Sequence, residues 1–263
     1  MKIQLVILFA LIVCIGSIAR AEIVYTSGHA DLGVGFETVN GQSNLKLHIH
    51  AEGVLGLHGG GTLQPGEYDS SDMIIGVPGP SISRPAGSQW NFLAANEGAS
   101  IWFLPQGSNS NKPFLGLGTE ELVAANGWIG TTDLTWRFNS ISTVSGQSSH
   151  FSLFQEELGS PVVFASSLAP TGNNNEWKQA PFSHNHFNYA FTGEGVYDVS
   201  LTITGVNGAL GTFTDTTTYR FATGSAIAAV PEPSSMALLG LTAIGFGAFR
   251  LRKRRTNSSS AQG

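Results

Sequence analysis

Six of the seven histidines in this 263-residue chain fall in short-spaced settings: His29-Ala30-Asp31, His48-Ile49-His50 with His58 close behind, and His184-Asn185-His186. On an extended strand, residues i and i+2 share a face, so each His-x-His pair can present two imidazoles to one ion. Neutral imidazole suits zinc, copper, iron or nickel, and Asp31 would add a carboxylate oxygen to a nitrogen-rich shell. The expected site is a divalent-metal pocket, for zinc or a similar ion. It draws on His29, Asp31, His48, His50, His184 and His186, with the two His-x-His pairs converging across two strands. A plainer reading stays open beside it, in which these rings hydrogen-bond across neighbouring strands or line a solvated face.

Other catalytic patterns are missing. The chain has no Gly-x-Ser-x-Gly elbow, no HExxH, no phosphate loop and no dinucleotide fingerprint. Glu120-Glu121 could supply a general base, but adjacent residues of an extended chain point to opposite faces, so at most one would face the histidines. Glu121 reads better as a loop cap, and Glu52 lies too near His50 for cupin-type spacing. A binding or structural surface protein, not an enzyme, is therefore the leading expectation, and a metal-dependent extracellular hydrolase or oxygenase is the alternative. Trp90, Trp102, Trp128, Trp136 and Trp177 could form a sugar-stacking platform toward exopolysaccharide. Their scatter over separate segments favours a core role, because large aromatics dominate buried area.

The elements that must carry the histidines are strands. Gly, Ser, Thr and Asn interrupt short β-branched and aromatic runs, and no long amphipathic helix is evident. Alternation is clearest over 44–50, 150–154 and 196–203, where Tyr197, Val199, Leu201 and Ile203 make the apolar face. Further strands are expected over 23–25, 72–77, 100–104, 134–140, 161–165, 187–191 and 217–221, with loops over 53–61, 107–112 and 172–175. The pattern predicts an all-β fold, an immunoglobulin-like β-sandwich or a jelly-roll or other sandwich, with a barrel as the alternative. Tyr197 would pin the preceding corner. With 12% charged residues and a net charge of -5, nothing recommends nucleic acid as a partner.

Both ends read as addresses. Lys2, the apolar run Leu5 to Ile18 and Ala19-Arg20-Ala21 have the order of a signal peptide over 1–21, so the exported β-sandwich domain would span 22–229. Cleavage would remove Cys14, the only cysteine, leaving neither a disulfide nor a thiol nucleophile. At the other end Val230-Pro231-Glu232-Pro233-Ser234 precedes an apolar run to Phe249 and then Arg250-Leu251-Arg252-Lys253-Arg254-Arg255. The run resembles a short transmembrane helix, and the cations would be held on the cytoplasmic side. Residues 256–263 would be a disordered tail.

This tail over 230–255 resembles the PEP-CTERM sorting signal of Gram-negative bacteria that secrete exopolysaccharide. The resemblance implies that Pro231, Glu232 and Pro233 are the recognition core for an exosortase-type enzyme. Arg252, Lys253, Arg254 and Arg255 would be the retention cluster. The protein would be exported to the envelope, cell surface or extracellular matrix, membrane-anchored by its C-terminal helix until processed.

A second resemblance covers most of the region between. Segments 28–34, 45–50, 101–106, 114–121 and 183–191 together look like the choice-of-anchor M domain family, related to an actinobacterial surface-anchored domain. That resemblance implies a secreted β-rich surface domain, and its association with metal-uptake transporters points toward metal or metal-complex binding. Tyr189 stands where members of the family commonly carry Trp.

Overall fold

The computed structural model describes residues 23–129, 132–168 and 175–230. The expected signal peptide, the sorting core Pro231, Glu232 and Pro233, the apolar run after it, Arg252, Lys253, Arg254 and Arg255, and the tail 256–263 lie outside the described residues. Among the described residues no helix is long and apolar enough to cross a membrane.

The strands in chain order are β1 (Ile23–Val39), β2 (Gln42–Ala51), β3 (Leu55–Leu57), β4 (Thr62–Leu63), β5 (Gly66–Tyr68), β6 (Met73–Val77), β7 (Ile82–Ser83), β8 (Ser100–Leu104), β9 (Pro113–Gly118), β10 (Leu134–Gly146), β11 (Phe151–Glu157), β12 (Ser160–Ser166), β13 (Glu176–Gln179), β14 (His184–His186), β15 (Asn188–Phe191), β16 (Gly195–Asn207) and β17 (Gly211–Thr223). They form two sheets and no closed barrel. The larger runs β13-β10-β16-β17-β6-β1-β2-β5, with β3, β4, β9 and β14 attached beside β1, and the smaller runs β12-β11-β15-β8-β7.

The alternation of β16 works as the sequence indicates: Tyr197, Val199, Leu201 and Ile203 are buried, whereas Asp198, Ser200, Thr202 and Thr204 are half-buried on the other face. The two sheets meet through aromatic rings. Phe138 packs on Phe151 at 5.2 Å between centroids, and Phe221 packs on Phe191 at 5.1 Å and on Tyr189 at 6.1 Å. Trp90, Trp128, Trp136 and Trp177 are buried, so they belong to the interior and not to an exposed platform.

Strand β1 is longer than its sequence suggests. The expected strand stops at Tyr25, but the chain continues extended to Val39 and changes partners on the way. Ile23–Tyr25 runs parallel to β6, Gly28–Gly33 runs parallel to β9, and Ala30–Val39 pairs antiparallel with β2. Gly28 sits at the change of partners with φ +104, and a Cβ there would stand 2.8 Å from the Val54 carbonyl oxygen. Glycine tolerates that left-handed backbone and that approach, and the same glycines hide the strand from propensity reasoning. Strand β9, with its Gly116 and Gly118, is missed for the same reason. The loop expected over 53–61 contains β3, which pairs with β1 through Tyr25 and Ser27.

Tyr197 donates its hydroxyl hydrogen bond to the Gln147 carbonyl at 2.8 Å, tying the start of β16 to the connection after β10. Tyr197→Phe removes that bond from a ring that otherwise stays packed. The expected loss is about 1 kcal/mol, seen as a lower urea midpoint at unchanged m-value.

Candidate metal centre

The two faces of β1 have different fates. Ala30, Leu32 and Val34 enter the core with Leu45, Leu47 and Ile49 of β2 and with Leu115 and Leu117 of β9. The alternate residues His29, Asp31, Gly33 and Gly35 therefore share the opposite face. In register, Asp31 faces His50, Gly33 faces His48 and His29 faces Phe114. Strand β14 adds His184 opposite Gly118 and His186 opposite Gly116. All six sequence-identified residues thus lie on one polar face, but they do not make one pocket.

His29, Asp31, His184 and His186 form the first group, with one donor atom of each lying within 4.8 Å of the others. Nε2 of His184 is 2.6 Å from Nε2 of His186 and 3.3 Å from Nε2 of His29. Asp31 Oδ1 is 3.7 Å from Nε2 of His29. Zinc–nitrogen bonds of ~2.0–2.1 Å in a tetrahedral shell hold two nitrogens roughly 3.3 Å apart, a spacing that the His29–His184 pair has and the closer His184–His186 pair undershoots. The outer ring nitrogens are held by further carboxylates: His29 Nδ1 lies 2.9 Å from Glu52 and His184 Nδ1 lies 2.7 Å from Glu120. Such carboxylates orient a ligating imidazole and fix its tautomer. The His186 ring lies flat on Phe114, with centroids 3.5 Å apart.

His48 and His50 do not join this group. They share Glu121, whose Oε1 is 2.8 Å from His48 Nε2 and 3.2 Å from His50 Nδ1. The expectation that both His-x-His pairs converge is corrected accordingly, because β1 lies between β2 and β9, which carries β14.

The acids were the residues that sequence reasoning missed. Glu120 and Glu121 both face histidines, one in each group, because they occupy a turn in which the Leu122 amide donates to the Thr119 carbonyl. The opposite-face rule holds for extended chain only. Glu121 is therefore a partner of His48 and His50, not a loop cap. Glu52 reaches His29 because its own amide donates to the His29 carbonyl. One signal for the site was present in the sequence: Gly33-Val34-Gly35 and Gly116-Leu117-Gly118 clear space on the polar face of each strand. A Cβ at Gly33 would stand 2.7 Å from His48 Nε2, one at Gly118 would stand 2.5 Å from a Glu120 oxygen, and one at Gly116 would collide with Asp31 Oδ1. His58 belongs to neither group and borders a cavity of about 460 Å³ with Thr26, Ser27 and Pro78.

Comparison with known proteins adds a fact about the other end of the chain. Residues 229–255 match the PEP-CTERM protein-sorting motif. The PEP-CTERM match covers the tail and does not reach the histidine-bearing strands. No curated protein and no solved structure matches the chain. The choice-of-anchor M resemblance rests on the sequence segments alone.

Electrostatics make the first group an unusual place for a carboxylate. Asp31 is fully buried, and neither of its oxygens accepts a well-formed hydrogen bond. Burial, reinforced by the charges of Glu52 and Glu120, pushes its pKa up to about 8. Burial and the neighbouring His184 and His29 push His186 down to about 4, so its ring is neutral at pH 7. His29 is lowered as well, first by burial.

These shifts set the pH dependence of the metal-free protein. Folded Asp31 keeps a proton that the unfolded chain releases above its ordinary 3.8, so this contribution to stability declines as pH rises through about 8. His186 acts in the opposite sense between about 4 and its ordinary 6.5, and no longer opposes above that. His48, raised by Glu121 against its own burial, adds a decline in the same sense as Asp31. In chelator, the thermal midpoint should therefore fall between pH 6.5 and 8.5, and Asp31→Asn should flatten part of that fall. An unchanged slope in that variant would contradict the shifted carboxyl.

Proposed function

We propose that the chain is an exported cell-surface or extracellular-matrix protein whose β-sandwich domain binds a divalent metal through His29, Asp31, His184 and His186. The observation that carries this reading is the convergence of three imidazole Nε2 atoms beside a buried carboxylate whose own ion-pair partners are the same histidines. The ion pairs described for Asp31, Glu52 and Glu120 are all to histidines, never to Lys or Arg. A divalent cation would relieve that crowding of negative charge, and the nitrogen-rich donor set favours zinc or a similar ion over calcium. His29 and His184 would each bind through Nε2 while Glu52 and Glu120 hold their Nδ1 atoms.

Export is supported by the PEP-CTERM match and by the order of charges and apolar residues at the N-terminus. In this reading an exosortase-type enzyme recognises Pro231, Glu232 and Pro233 while the apolar run is in the membrane. Residues Arg252, Lys253, Arg254 and Arg255 remain on the cytoplasmic side until the tail is removed. The resemblance to choice-of-anchor M domains agrees with a secreted surface role.

Two measurements test the proposal. Calorimetry of the chelator-stripped protein should show zinc binding at this cluster that weakens as pH falls, since the Asp31 carboxyl, which holds its proton up to about 8, and the ligating rings must all be deprotonated. His186→Ala should weaken it by at least about 10- to 100-fold, and adding His29→Ala should cost little more, because the two ligands serve one ion. No uptake of zinc, copper, manganese or nickel would return the histidines to a structural role. For sorting, intact mass of surface-extracted protein from a host with exosortase should place the mature C-terminus near Pro233. Retention of Arg250 to Arg255 there would exclude processing.

A further inference from the structure

His48, His50 and Glu121 have a geometry of their own that the first cluster does not explain. His48 Nδ1 lies 3.3 Å from the Lys46 carbonyl oxygen, a partner to which it can donate. Its Nε2 points at Glu121 Oε1, 2.8 Å away, and His50 Nδ1 approaches the same oxygen at 3.2 Å. A ring whose outer nitrogen donates to a backbone carbonyl while its inner nitrogen faces other donors is the usual posture of a metal-ligating histidine. The three donor atoms lie within 4.8 Å of one another.

The surroundings are built to keep this space. The His48 side chain is 1% exposed, whereas His50 and Glu121 are 32% and 25% exposed, so the group has a buried floor and an open side. Gly33 and Gly35 lie beneath it, and a Cβ at Gly35 would come 3.3 Å from Glu121 Oε2. The neighbouring charges are Glu67, in register with His50 across β5, and Asp31, in register with His50 across β1. Lys46 on the same strand is engaged elsewhere, pairing with Glu37 and Asp69.

We infer that His48, His50 and Glu121 form a second divalent-metal site, distinct from the first, whose three protein ligands leave a coordination position open to water or a small anion. Two imidazoles and one carboxylate make the three-ligand set with which proteins hold zinc or iron while keeping a position free. The four-residue first group has no such vacancy in a tetrahedral shell. The inference extends the metal-binding reading of the first cluster, and the two stand or fall separately. A proton on His48 would satisfy Glu121 without any metal, and the two arrangements differ in what they bind.

The test is a count. The full chain, purified in detergent and stripped with chelator, is dialysed against zinc, washed and measured by elemental analysis. Two equivalents are expected, with one remaining in His50→Ala, one in Glu121→Gln and one in His186→Ala. His50 is partly exposed, so its replacement keeps the test valid should Glu121→Gln fail to fold by circular dichroism. In His186→Ala loaded with cobalt, azide should change the visible absorption by taking the open position. A wild-type protein holding one equivalent that His186→Ala loses and Glu121→Gln keeps would overturn the second site and leave the first. One equivalent that only Glu121→Gln and His50→Ala lose would overturn the first and leave the second. Two equivalents with a cobalt spectrum indifferent to azide would overturn the open position.

Discussion

Asp31 imposes the constraint around which the rest of the polar face is arranged. It is a carboxyl group beyond the reach of water, without a well-formed hydrogen bond, and two further carboxylates approach the same imidazole. A buried charge without a partner is among the costliest features a fold can carry, so the group must hold a proton or face a cation. Its neighbours follow from that. Gly116 and Gly118 are small so that the carboxyl and Glu120 have room, and the imidazoles of His29, His184 and His186 are crowded together where a single positive centre would serve all of them.

The strands hold this arrangement from beneath. Thr119, fully buried, donates its hydroxyl to the Ala180 carbonyl at 2.8 Å and accepts from the Ser183 amide at 3.1 Å, which docks the approach to β14 against the end of β9. Gln179 donates to the Leu117 carbonyl at 2.8 Å and accepts from the Trp136 indole at 3.0 Å. Tyr189 donates to the Gly116 carbonyl from the smaller sheet. Tyr189 therefore does more than fill volume, since its hydroxyl bonds the backbone of Gly116, the residue in register with Asp31. On the other side, Tyr219 donates to the His48 carbonyl and Asp215 accepts from the Leu47 amide, fixing β2 against β17.

Much of the site could be read from spacing, because the two-residue period of a strand decides which side chains share a face. His29 with Asp31, His48 with His50, and His184 with His186 each follow from that rule alone. Which pairs meet depends on strand order, and no local pattern announces that β1 separates β2 from β9. The acids escaped for a related reason: Glu52, Glu120 and Glu121 lie just beyond strand ends, where turns replace alternation as the rule of direction. In the fold, the apolar face of β16 was legible in its sequence, whereas the glycine-bearing halves of β1 and β9 were not. Their conformation comes from pairing partners, not from intrinsic preference. The parallel entry of β6 between β1 and β17 is likewise a property of the whole sheet.

His29 and His184 are separated by 155 positions along the chain, yet their rings touch. Closing so long a loop costs conformational entropy that a local contact does not. An emerging N-terminal portion carries His29 and Asp31 without anything to complete the shell. Occupancy of that shell would report that strands from both ends of the domain had come together.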